Sequence, residues 1–92
     1  MSTPPTPEEL RSALKALVVE ACALDLDPGF IEDGEQLIAG RLDLNSLDAI
    51  EIAAAVDYAY QVRIEDVRGA RAVMRSIDSL ADHIATERGW VQ

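Results

Sequence analysis

The sequence holds a single cysteine, Cys22, and a single histidine, His83. One cysteine excludes an internal disulfide, and no compact set of histidines, cysteines and acids stands at metal-ligand spacing. Long apolar runs are missing as well. Charges interrupt every stretch, including Leu14 to Leu24 at Lys15 and Glu20, so no segment has the length needed to cross a bilayer. The first residues lack the basic segment and continuous apolar run of a secretory signal. With the lone thiol, this gives the expectation of a reduced, cytoplasmic protein. Basic residues are scarce too: eight against seventeen acidic ones, for a net charge of −9. Nucleic acid and anionic membranes should repel such a chain, whereas a basic protein surface should attract it. No internal repeat is present.

What remains is a chain of 92 residues, suited to one small domain and expected as a monomer. Residues 1–6, proline-rich and polar, read as a disordered lead-in, residues 7–88 as the domain and residues 89–92 as a C-terminal tail. Thr6-Pro7-Glu8-Glu9 combines a capping residue, a proline at the first helical position and a glutamate at the third, so a helix should begin at Pro7. Leu10, Leu14, Leu17, Val18 and Ala21 give it one apolar stripe, and it should end around Cys22 to Leu26.

Asp27-Pro28-Gly29 breaks that helix and opens a long loop to Asp43. Phe30, Ile31, Leu37, Ile38 and Leu42 are the expected anchors that hold it across the helices. A second helix should start at Asn45 as cap, with Asp48 at the third helical position completing a capping box. Ala49, Ile52, Ala53, Val56 and Tyr60 should face the core, and Asp48, Glu51, Ala55 and Tyr58 a different side. Glu65 to Ala72 reads as a short third helix contributing Val67. Ser76 should cap a last helix carrying Ile77, Leu80, Ala81 and Ile84, which Gly89 stops. The expected fold is a small all-α four-helix bundle with a long loop between helices 1 and 2.

The run Leu42-Asp43-Leu44-Asn45-Ser46-Leu47-Asp48-Ala49-Ile50-Glu51-Ile52 places one hydroxyl at a helix start, followed by a helical pattern of apolar and acidic residues. It resembles the attachment motif of acyl carrier proteins, in which the serine of an Asp-Ser-Leu triplet is esterified by 4′-phosphopantetheine. Tyr60-Gln61-Val62-Arg63-Ile64 and Ser76-Ile77-Asp78-Ser79-Leu80 look family-like as well, so the resemblance spans roughly Leu10 to Ile84. It implies a discrete carrier of fatty-acid, polyketide or related specialised biosynthesis with Ser46 as the modified residue. The implied partners are a phosphopantetheinyl transferase, which uses coenzyme A and a divalent metal, then a ketosynthase and other acyl-processing or acyltransferase enzymes. Asn45, Leu47, Asp48, Ile50 and Glu51 match the mixed acidic and apolar surface through which carriers dock. The chain departs from the family at Asn45, where aspartate is usual: asparagine keeps a neutral oxygen and the cap but removes a charge.

Read from its residues alone, Ser46 is a helix-terminal serine with no histidine or lysine beside it to remove its proton. That favours a substrate serine over a catalytic one, and no enzymatic activity is expected of the chain. A hydrolase would need His83, far off in sequence. The competing reading is an acidic helical protein-interaction module that is never modified. Asp48 and Glu51 on that reading only solvate a helix. Arg68, Arg71 and Arg75 form either a solvated helix face or a contact site. Cys22 is expected to be a small buried thiol.

Overall fold

The computed structural model describes residues 3–64 and 71–90. Helix α1 spans Pro7–Ala21, α2 spans Ser46–Tyr60 and α3 spans Ile77–Arg88, with a single 3₁₀ turn at Pro28–Phe30. The chain is an all-α bundle; among the described residues there is no β-strand, only an isolated bridge between Ile38 and Leu44. The short helix expected over Glu65 to Ala72, with Val67 and Arg68, lies outside the described residues up to 70, and residues 71–73 are helical. No helix among the described residues is long and apolar enough to cross a membrane.

Each long helix starts where its local chemistry dictates. The Thr6 hydroxyl accepts from the Glu9 N–H at 3.1 Å while Glu9 Oε1 accepts from the Thr6 N–H at 2.8 Å. Ser76 and Ser79 form the same reciprocal box ahead of α3. These bonds satisfy backbone donors that have no partner within a helix. At the other end, α3 stops at Gly89, whose φ of 72° is left-handed and free of penalty only for glycine. Helix α1 ends at Ala21 with Cys22 as its cap, at the early edge of the expected range.

Helix α1 packs against α2, α3 and the 3₁₀ turn. Its Leu10, Leu14 and Val18 meet Ile52 and Val56 of α2 and Ile77, Leu80 and Ile84 of α3 in one core, joined by Ile31, Leu37 and Leu44 from the loop. Ile31 and Leu37 anchor the loop as the pattern predicts, while Ile38 and Leu42 are half-buried. Phe30 does not anchor it: 65% of its surface is exposed. The 3₁₀ turn gives way to extended backbone at Ile31. Neighbouring side chains there point opposite ways, and Ile31 takes the inward direction. Leu44, not among the expected anchors, is buried instead.

Two ion-pair groups fasten the loop. Lys15 Nζ lies 2.7 Å and Arg11 Nε 3.3 Å from the Asp33 carboxylate, and the Asp33 carbonyl accepts from the Asp78 N–H at 2.9 Å, so the loop is tied to α1 and to the start of α3. Further on, Glu35 pairs with Arg41. A hydrogen bond from Lys15 holds the Asp33 carboxyl below its ordinary range, and one from Arg41 does the same for Glu35. A depressed folded-state value means that the stabilisation is fully present above the ordinary carboxylate range and disappears as pH falls through the folded-state values. Urea midpoints measured down an acid series should therefore drop, and the drop should be shallower in a Lys15→Ala, Arg41→Ala double variant; equal slopes would assign the acid sensitivity elsewhere.

Candidate functional site

Asn45 precedes α2 in extended backbone, and its single side-chain oxygen accepts from the N–H groups of Leu47 at 2.9 Å and Asp48 at 3.2 Å. Asp48 returns a bond, Oδ2 accepting from the Asn45 N–H at 2.8 Å. The capping box read from the sequence is thus formed in full, and it fixes Ser46 as the first residue of the helix. Ser46 is exposed, and its hydroxyl has no hydrogen-bond partner among the described residues. Because the first helical N–H groups need no intrahelical acceptor, this position tolerates a substituent without breaking the ladder. The chain therefore has both the room and the free hydroxyl that a covalent arm on Ser46 requires.

The two large apolar residues nearest Ser46 face solvent: Leu47 is 71% and Ile50 64% exposed. With Ala54 and the 90%-exposed Tyr58 they fall at three- and four-residue intervals, so one stripe of α2 is apolar and uncovered while Ile52 and Val56 are fully buried. Isolated exposed apolar residues are ordinary; here four stand in one row beside acids. Glu51 flanks the row, exposed and without an ion pair among the described residues, whereas half-buried Asp48 is partly engaged by the cap. All five residues expected around Ser46 therefore lie on the first two turns of α2 or at its cap. Tyr58, expected on a side other than the core-facing one, extends the row.

Ala53 and Ala54 line a shallow groove of about 470 Å³ together with Ile50, Asp57, Arg63 and Ile64. Ala49, expected to face the core, is half-buried and does not line it. Arg63 Nε stands 4.0 Å from Asp57 Oδ2 at the groove, a long and exposed pair. Tyr60 is half-buried, its ring edge-on to Trp90 at 6.3 Å, and Arg88 lies over the Trp90 ring at 5.7 Å, so the residue after Gly89 is packed onto the bundle. Arg71 and Arg75 are exposed.

Cys22 is half-buried rather than fully buried, since α1 ends there and its thiol reaches the underside of α2: Sγ donates to the Asp48 carbonyl at 3.8 Å. Burial, followed by the Asp48 and Glu51 carboxylates, pushes its pKa up to about 11. The thiol is protonated and inert near neutrality. Iodoacetamide labelling of the native protein should be slow at pH 8 and rise roughly tenfold per pH unit above it; rapid labelling at pH 7 would contradict this environment. His83 Nε2 is shut away from solvent and has no hydrogen-bond partner among the described residues. It is not paired with the exposed Ser46 hydroxyl. Sequence reading passed over Arg41 and Glu35 entirely, because charged residues in a polar loop carry no local signal of pairing.

No protein-family model matches this chain, and no curated protein matches it.

Proposed function

We propose that the chain is an acyl carrier protein, modified at Ser46 with 4′-phosphopantetheine and serving separate enzymes of fatty-acid, polyketide or related biosynthesis in the cytoplasm. The observation that carries this reading is the exposed Ser46 hydroxyl, bonded to no described residue, at the first position of α2 and set in the Leu44-Asn45-Ser46-Leu47-Asp48 context. Ser46 is the substrate of a phosphopantetheinyl transferase, not a catalyst: its oxygen attacks the pyrophosphate of coenzyme A, the adenosine bisphosphate portion leaves, and its proton passes to a base of the transferase. When bound, the arm supplies a thiol that holds acyl groups as thioesters. The chain's own residues supply the address. Leu47, Ile50 and Glu51 meet a partner such as a ketosynthase or acyltransferase, and the net charge of −9 draws in basic surfaces and speeds encounter.

Asn45 adds a chain-specific feature. Its only side-chain oxygen is taken by two backbone N–H groups, so the cap keeps its strength while the negative charge of the usual aspartate is absent. The test is intact mass after co-expression with a broad-specificity phosphopantetheinyl transferase. One phosphopantetheine increment supports the carrier; no increment on folded protein with several transferases rejects it. The exposed stripe from Leu47 to Tyr58 also suits a second reading, an unmodified interaction module, which that negative result would favour.

A further inference from the structure

The last part of the loop, which delivers the chain to Ser46, is tied back by Arg41. Arg41 donates from Nε to Glu35 Oε2 at 3.1 Å and from Nη2 to both Glu35 Oε1 and the Phe30 carbonyl at 2.6 Å. Glu35 is itself fixed, since Oε1 also accepts from the Glu32 N–H at 2.7 Å and its side chain is only 10% exposed. Arg41 sits at the tip of a tight turn: the Ala39 N–H donates to the Leu44 carbonyl at 2.7 Å and the Asp43 N–H to the Gly40 carbonyl at 3.0 Å.

That turn is under backbone strain. Ala39 at φ 59° and Asp43 at φ 58° are both left-handed, a conformation that aspartate tolerates but that is disfavoured for alanine. Gly40 between them has no room for a side chain, because a Cβ there would run into the Gln36 carbonyl. Strain of this kind persists only where its surroundings over-determine it. Leu44 then enters the core, and the next residue is the cap Asn45. Loop closure and the start of α2 are thus separated by a single buried residue.

We propose that Arg41 is a positioning residue for Ser46: by clasping Glu35 and the Phe30 carbonyl it holds the strained 39–43 turn closed, and the closed turn sets the cap from which Ser46 is presented. The inference rests on Ser46 being the modified residue only for its consequence in loading; the clasp itself can be measured on unmodified protein. An arginine is required because a planar fork spans two acceptors that a lysine point charge cannot.

The experiment is amide hydrogen exchange on wild type, Arg41→Ala, Arg41→Lys and Glu35→Gln. In all three variants the Ala39 amide, which reports turn closure, and the Ala49 amide, which bonds the Asn45 carbonyl at 3.1 Å, should exchange about tenfold faster. Leu14 and Leu80 amides in the core should change less than about twofold. Transfer from coenzyme A should show KM for the protein raised, with kcat unchanged, by the factor by which the closed fraction falls, because only that fraction is competent to bind the transferase. Unchanged Ala39 and Ala49 exchange in folded variants overturns the proposal. So does equal acceleration at Leu14 and Leu80, which would mean general destabilisation, or protection restored by Arg41→Lys. A wild type that exchanges as expected but is never loaded leaves the clasp standing and removes the carrier function instead.

Discussion

Ser46→Ala should fold like the wild type and lose phosphopantetheine uptake completely. The two halves of that expectation have separate origins. Ser46 caps nothing: Asn45 and Asp48 form the box, and the Ser46 hydroxyl bonds to no described residue. Alanine at an exposed first helical position keeps the helix, so the stability change should stay within about 0.5 kcal/mol. Modification, in contrast, needs an oxygen to form the phosphoester bond, and alanine has none. Intact mass and thermal melting on the same samples check both. Uptake that survives the substitution would place the arm on another residue, and a large drop in melting temperature would show that Ser46 has a structural role the hydrogen bonds do not reveal.

Ile52→Ala should be the converse, destabilising the fold by about 2–5 kcal/mol. Ile52 is fully buried between α2 and the rest of the core, so truncation loses transfer energy and leaves a void that neighbours fill only in part. A domain of this size is stable by only about 5–15 kcal/mol, so its melting temperature should fall by roughly 10 °C or more. Ile50→Ala, two residues earlier and 64% exposed, should leave melting nearly unchanged and instead weaken association with the partner enzyme. Comparable destabilisation by the two substitutions would mean that the exposed stripe on α2 is covered in the folded protein, and the contact surface would have to be sought elsewhere.

The parts of this molecule that could be read in advance are those whose partners are close in sequence. Thr6 with Glu9, Asn45 with Asp48 and Ser76 with its following turn lie three residues apart, within reach as soon as one helical turn forms. Ser46 at the helix start followed from them. The loop resisted because its choices are made across distance. Nothing in Phe30-Ile31 says which side chain turns inward until α1 and α3 are in place to receive Ile31. Arg41 reaches Glu35 six residues back and the Phe30 carbonyl eleven back, and the sequence between them carries no pattern that pairs them. The burial of Leu44 was hidden for the same reason, as was the half-exposure of Cys22, which depends on where α1 stops beneath α2.

The sequence by itself determined the three long helices, their caps, the acidic character and the placement of one serine at the start of α2, since these depend on backbone bonds and periodicity spanning a single turn. Tertiary structure decided which apolar residues of α2 stay in solvent, how the strained turn before Asn45 is clasped, and what lies under the first turn of α2. Those outcomes require packing partners and ion pairs brought together only after the helices assemble, and a local pattern holds no information about them.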